Sequence, residues 1–187
     1  MDKLIEKISS RNKEINKRFE FRTVLPNEAD TVAKIEQICF PPNEACSVSQ
    51  MKERVVVSPE LFLVAIEKST GNIAGFLNGI ATDEEVFRDA FFENAKLHKT
   101  DGKNVMLLGL DVLPEYRKQG LAKEIMYRYL YTEYKRGRKN IILTCLDSKV
   151  KMYERMGFKD LGLANSSWGG EKWHEMSVEF KKWNIGH

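Results

Sequence analysis

The amino-acid pattern predicts an α/β domain with a mixed sheet, because stretches with a two-residue apolar period are interspersed with stretches whose apolar residues recur at helical spacing. Two segments fix that class. Residues 61–66 and 73–80 flank Ser69-Thr70-Gly71-Asn72, two apolar arms around turn chemistry that makes a hairpin. Residues 105–112 then run as a central strand into a basic, Gly-containing turn that opens directly onto an amphipathic helix over 121–135.

The other elements follow in order. Residues 2–18 are charged, with Leu4, Ile5, Ile8 and Ile15 near helical spacing, so 1–18 reads as a peripheral amphipathic helix added to a domain over 19–187. Residues 19–24 alternate as a strand. Pro26-Asn27-Glu28-Ala29-Asp30 opens a helix whose apolar side carries Val32, Ile35, Ile38 and Cys39, and Phe40-Pro41-Pro42-Asn43 stops it. A second helix begins at Ser47 or Ser49 and breaks at Ser58-Pro59. Beyond the hairpin the composition turns polar and aromatic, with a helix expected over 84–93 and a loop near 98–102. Residues 140–145 make a fifth strand, 148–155 a short helix, 157–163 a strand and 173–180 a final alternating strand. No internal repeat or low-complexity tract is present.

With 187 residues, 42% hydrophobic and 30% charged, the chain can bury a sizeable core without a staple. Its 30 Lys+Arg against 27 Asp+Glu leave only +3, too mild to mark nucleic acid as a partner. The basic run Lys135-Arg136-Gly137-Arg138-Lys139 ends a helix, where cations complement the dipole. No apolar run approaches about 18 residues, so neither a membrane span nor a signal peptide is expected. Cys39, Cys46 and Cys145 are odd in number and form no Cys-x-x-Cys pair, which suits reduced thiols in a cytoplasmic protein and no metal site.

The most informative stretch is Leu110-Asp111-Val112-Leu113-Pro114-Glu115-Tyr116-Arg117-Lys118-Gln119-Gly120-Leu121-Ala122. Backbone N–H groups freed from Lys118 through Gln119 to Ala122 point along the new helix axis, and the helix dipole adds positive potential. Arg117 and Lys118 add full charges. Gly120 keeps the backbone open to a bulky anion, and small Ala122 lets it approach the first turn, so the pattern describes a pyrophosphate cradle. No Gly-Lys-Ser/Thr follows, which sets it apart from a phosphoryl-transfer loop.

This stretch resembles the acyl-CoA signature of the GNAT N-acetyltransferases, in which an apolar strand ending in Val precedes Pro-Glu-Tyr-Arg and then Arg-x-x-Gly-x-Gly/Ala. The resemblance implies a sheet splayed between its fourth and fifth strands, acetyl-CoA as co-substrate, backbone groups of Leu110 and Val112 offered to pantetheine, and the pyrophosphate cradled by Arg117 to Ala122, Leu121 included. Tyr153 followed by Gly157-Phe158 resembles the family's closing motif, where the Tyr hydroxyl lies near the CoA sulfur and protonates the leaving thiolate. A neutral phenol near pKa 10 is chemically suited to that donation.

Within the superfamily the chain is most similar to the arylalkylamine, serotonin-type, N-acetyltransferases and their microbial relatives. Phe40 to Ser47, Leu97-His98, Cys145-x-Asp147 and Glu175-Met176 carry that likeness. One departure stands out: the vertebrate enzymes carry two histidines where this chain has Met106 and Leu108. The base that frees the amine is therefore unassigned, and Glu44, in a Pro-bounded loop that the resemblance places by the acceptor site, is the first candidate to hold or deprotonate it. Strict alternation sets Asp111 on the face opposite Met106, Leu108, Leu110 and Val112, which suits a solvent-facing or supporting role. Asp147 would cap the Tyr153 helix, His98 and His174 read as surface or satisfied core residues, and Cys145 as a buried strand residue. The expected activity is acetyl transfer from acetyl-CoA to a primary amine of a small molecule, arylalkylamine or polyamine-like, by direct attack in a ternary complex. Asp83-Glu84-Glu85 would attract the cation while Phe40, Phe87, Phe91 and Trp168 supply apolar walls. A protein N-terminal acetyltransferase and a non-catalytic acyl-CoA-binding regulator are the alternatives, and a homodimer is left open.

Overall fold

The structure is a computed structural model and describes residues 13–182. Seven strands form one sheet in the order β1-β2-β3-β4-β5-β7-β6. They are β1 (Phe19–Thr23), β2 (Phe62–Glu67), β3 (Ile73–Thr82), β4 (Asn104–Val112), β5 (Asn140–Leu146), β6 (Lys159–Leu163) and β7 (Trp173–Glu179). Every neighbouring pair is antiparallel except β4 and β5. That parallel pair is matched only from Asn104 to Met106 against Asn140 to Ile142. Beyond that pairing the two strands part, which is the splay that the family resemblance implies.

Helices cover both faces. Ile15 of α1 (Lys13–Arg18) packs with Leu121, Ile125, Met126, Tyr129 and Leu130 of α5 (Leu121–Lys135) against Leu77, Val105, Leu107 and Ile141. Val32 and Ile35 of α2 (Ala29–Cys39) and Met51 and Val55 of α3 (Val48–Val57) meet Phe62, Val64 and Phe76. The expected helix over 2–18 is present as far as residues 13–18; its remainder lies outside the described residues. Ile125 is fully buried in α5, so truncating it to Ala would cost about 2–5 kcal/mol.

Helix boundaries have local causes. Ser47 caps α3 by accepting from the Gln50 amide, and Gln50 reciprocates to the Ser47 amide. Leu121–Lys135 agrees with the sequence expectation residue for residue. The helix expected over 84–93 does not form beyond the single turn α4 (Ala90–Glu93). A side chain captures a donor that the helix would need: the Phe87 amide donates to the Glu175 carboxylate. Ile38, expected on the buried side of α2, is 59% exposed. Its place in the core is taken by Ala33 and by Glu36, a carboxylate.

A bulge in β4 breaks the expected alternation. Asn78 pairs with Gly109 and Gly79 with Leu107, so Leu108 is an extra residue on the β4 side. Met106 and Leu108 join one core cluster, while Val112 sits with Val105 and Leu107 in another, and Leu110 packs there as well. The bulge thereby turns Asp111 inward, fully buried, and the solvent-facing expectation for it is corrected.

Candidate active site

The turn between β4 and α5 (Leu121–Lys135) is held by three contacts. The Tyr116 hydroxyl donates to Glu67, Arg117 Nε donates to the Val112 carbonyl at 2.8 Å, and Gln119 Nε2 donates to the Glu115 carbonyl. Gln119 is also gripped by Arg18, so its side chain is spent on the scaffold. Lys118 has φ 59° and is the one non-glycine residue in the left-handed region among those described; Gly120 follows with φ 83°. Two left-handed residues in so short a turn aim successive amides at one concavity, and no side chain caps the helix that begins at Leu121. An anion fits that open, basic helix start, with Arg117, Lys118 and Gly120 exposed around it.

A cleft of about 910 Å³ joins this turn to the splay. Leu107 to Leu110 and Val112 form one wall, Leu143 to Leu146 the other, and Tyr153 of α6 (Asp147–Glu154) closes the end between them. Burial pushes the Tyr153 phenol above its ordinary pKa. The phenol is therefore protonated throughout the neutral range. Its ring packs edge-on against Phe158 at 5.7 Å.

Glu44 lies on the same cleft. Its carbonyl accepts from Trp168 Nε1 at 3.0 Å, and neighbouring Asn43 Nδ2 donates to the Gly169 carbonyl at 2.7 Å. These bonds tie the loop after α2 to the loop between β6 and β7. Partial burial raises the Glu44 pKa, with Glu171 contributing repulsion. Phe40, Phe92, Trp168 and Trp173 supply the aromatic walls. Phe87 and Phe91 are instead buried in the core beside Met106, so they are not walls. Nor does the 83–85 segment reach the cleft: Asp83 pairs with Lys99, and Glu84 with Arg88.

Other candidates fall out as structure. His98 Nδ1 accepts from the Ala81 amide, and Nε2 lies 2.9 Å from Glu60, a satisfied core histidine. Its pKa is lowered, chiefly by burial. His174 sits 3.1 Å from Asp160 and 3.4 Å from Asp147. Asp147 does not cap α6: the cap position is Leu146, and Asp147 is the first helical residue with its carboxylate in solvent. Cys145 is buried, and that burial lifts its thiol to about 12, too high for a nucleophilic thiolate. In the basic run, Arg136 and Arg138 are both engaged by Glu133. Sequence reasoning missed Glu36, Arg54 and Asn78, buried polar residues that gather around Asp111, because on the linear pattern they stand at ordinary helix and strand positions.

A splayed sheet with an uncapped, basic helix start at its opening defines an α/β acyl-CoA-binding fold. Residues 29–158 match the Acetyltransferase (GNAT) family, and the chain belongs to that family. Serotonin N-acetyltransferase of Mesocricetus auratus is 29% identical over 147 residues, covering 76% of this chain and 69% of that protein. The human serotonin N-acetyltransferase is 28% identical over the same span. Among solved structures, the GphF GNAT-like decarboxylase in complex with isobutyryl-CoA has a TM-score of 0.70 at 17% identity, covering 86% of this chain and 99% of that one. The ribosomal-protein-S18-alanine N-acetyltransferase of Escherichia coli has a TM-score of 0.64 at 16% identity, covering 90% and 98%. The chain is thus an acetyl-CoA-dependent acyltransferase. No group of side chains suited to a metal ion occurs among the described residues, and none of their helices is long and apolar enough to cross a membrane.

Proposed function

We propose that the chain moves an acetyl group from acetyl-CoA to a primary amine of a small molecule, arylalkylamine or polyamine-like, by direct attack within a ternary complex. The observation that carries this reading is the bridge between Trp168 Nε1 and the Glu44 carbonyl. With Asn43 bonded to Gly169 as well, the two loops flanking the acceptor side are joined, which favours a compact ligand over an extended chain.

Arg117 to Ala122 hold the pyrophosphate through backbone amides, and the unpaired edges beyond Leu107 and Leu143 receive pantetheine, with Leu110 and Val112 offering backbone groups. The thioester supplies an activated acyl carbon. Glu44 attracts and holds the substrate ammonium at the aromatic mouth, and Tyr153 donates its phenolic proton to the departing thiolate. Turnover of acetyl-CoA against a panel of arylalkylamines, polyamines and an N-terminal peptide, followed by free thiol release, tests this. Release with small amines and not with the peptide is the expected result. Peptide turnover alone would move the assignment to protein N-termini, and tight acetyl-CoA binding without turnover would make the chain an acyl-CoA-binding regulator.

A further inference from the structure

The bulge at Leu108 drives Asp111 into a buried polar cluster beside the cleft. A Cβ placed on Gly109 would lie 3.0 Å from Asp111 Oδ2, 3.4 Å from Asn78 Oδ1 and 3.6 Å from Glu36 Oε2, so three oxygens from β4, β3 (Ile73–Thr82) and α2 (Ala29–Cys39) converge over one backbone position. None of these three oxygens has a hydrogen-bond donor, and Asp111 Oδ1 has none either. Asn78 is 1% exposed, yet its amide oxygen aims into the cluster without a partner. A buried acceptor that lacks a donor is poorly placed unless something brings one. Gly109 and Glu36 both line the cleft, whereas Asp111 stands behind them.

Each carboxylate is differently placed. Glu36 Oε1 accepts from the Cys46 amide at 2.8 Å, which anchors the side chain, while Oε2 is buried and accepts no hydrogen bond. Arg54 Nη2 is committed to the Phe92 carbonyl, while Nη1 stands 3.9 Å from Glu36 Oε2. Asp111 is faced by Glu36 and Cys39 from α2, by Arg54 from α3 (Val48–Val57), and by Arg117 from its own connecting turn. Burial first, and then repulsion from Glu36, push its pKa well above the ordinary carboxylate value, against the opposing pull of Arg54, Cys39 and Arg117. Two adjacent buried carboxylates with one guanidinium balance when one of them carries a proton. Asp111, whose pKa burial raises, is the one set to carry it.

We infer that Glu36 is the group that accepts the proton of the substrate ammonium, with Asp111, whose carboxylate converges with it over Gly109, as the positioning residue. This rests on the acetyl transfer proposed above and fills the role for which Met106 and Leu108 carry no chemistry. The protons balance. Glu36 takes one N–H proton, the freed nitrogen lone pair bonds to the acyl carbon, and collapse breaks the C–S bond. The thiolate takes the Tyr153 proton, and the second N–H proton restores the phenol. Ammonium and thioester become amide and thiol with one proton left on Glu36, released to solvent before the next cycle.

The test compares two nucleophiles of similar shape at pH 7: 2-phenylethylamine, an alkylammonium, and O-benzylhydroxylamine, which is already neutral. Glu36→Gln, which keeps the acceptor for the Cys46 amide, should lower kcat/KM for phenylethylamine roughly 10²-fold and for the hydroxylamine less than about threefold. Glu36→Asp should recover part of the phenylethylamine loss, and acetyl-CoA affinity by calorimetry should hold in both variants. The infrared carbonyl band of a protonated carboxylic acid should be present at neutral pH and vanish in Asp111→Asn. Equal losses with both nucleophiles, or none with phenylethylamine, overturn the assignment of Glu36. Absence of an Asp111-dependent acid band overturns the protonated pair. If the parent protein acetylates neither nucleophile while binding acetyl-CoA, the proposed amine transfer itself fails, and Glu36 has no proton to accept.

Discussion

Arg117 donates from Nε to the carbonyl oxygen of Val112 at 2.8 Å, so the side chain that opens the basic turn is folded back onto the strand before it. The residue is thus a brace as much as a charge. The Val112 carbonyl also lies 3.4 Å from Cys39 Sγ, which ties α2 (Ala29–Cys39) to the same point. Removing the brace loosens the cradle without abolishing its amides.

Arg117→Ala should therefore weaken acetyl-CoA binding by a modest factor. A single lost hydrogen bond is worth about 0.5–1.5 kcal/mol, or roughly two- to twelvefold in Kd. Calorimetric titration with acetyl-CoA reads it directly. A loss of several hundredfold would mean that the guanidinium, not the backbone, is the main anion contact.

Gly120→Val should cost more. At φ 83° a β-branched residue is strained by about 1–3 kcal/mol, so some loss of thermal stability is expected as well. Acetyl-CoA affinity should fall by more than about tenfold beyond the Arg117→Ala effect, because the side chain enters the space over the open first turn. Unchanged affinity in a variant that melts cooperatively would remove the pyrophosphate from this helix terminus.

The β2–β3 hairpin and the α5 helix were legible because each rests on local signals, Thr70-Gly71 turn chemistry, the Pro114 break and the apolar period from Leu121 onward, whereas the splay was available only through the family resemblance. The neighbourhood of Asp111 was not. A one-residue bulge at Leu108 reverses which face each later side chain takes, and nothing in the spacing of Met106 to Val112 announces it. The polar partners Glu36, Arg54 and Asn78 come from three elements far apart in the chain, so only the folded register brings them together. The failure of the 84–93 helix has the same origin: Glu175, a distant acceptor, takes the Phe87 amide.

The affinity for the amine should depend on the ionisation of Glu44. Burial, then repulsion from Glu171, hold its pKa above 4.5, so the charged form that would grip an ammonium is lost at a higher pH than for an ordinary glutamate. As pH falls through that raised value, KM for the amine should climb while kcat changes less. Glu171→Gln removes the like charge and should move the rise in KM to lower pH. A profile identical to that of the parent would separate Glu44 from amine binding.

Tyr153→Phe tests the chemistry most directly, since it removes one hydroxyl and keeps the ring against Phe158. The raised pKa means that the phenol is an acid that does not ionise in the neutral range, and its protonated form should persist beyond pH 10, so no alkaline loss of activity below that point belongs to Tyr153. If it donates to the thiolate in the transition state, kcat should fall roughly 10²-fold while acetyl-CoA affinity and melting temperature stay near the parent values. The deficit should shrink with a thioester whose thiol is more acidic, because a weakly basic leaving group needs less help. Turnover of the Phe variant within about threefold of the parent, with acetyl-CoA as donor, would make Tyr153 a packing residue and leave water as the proton source.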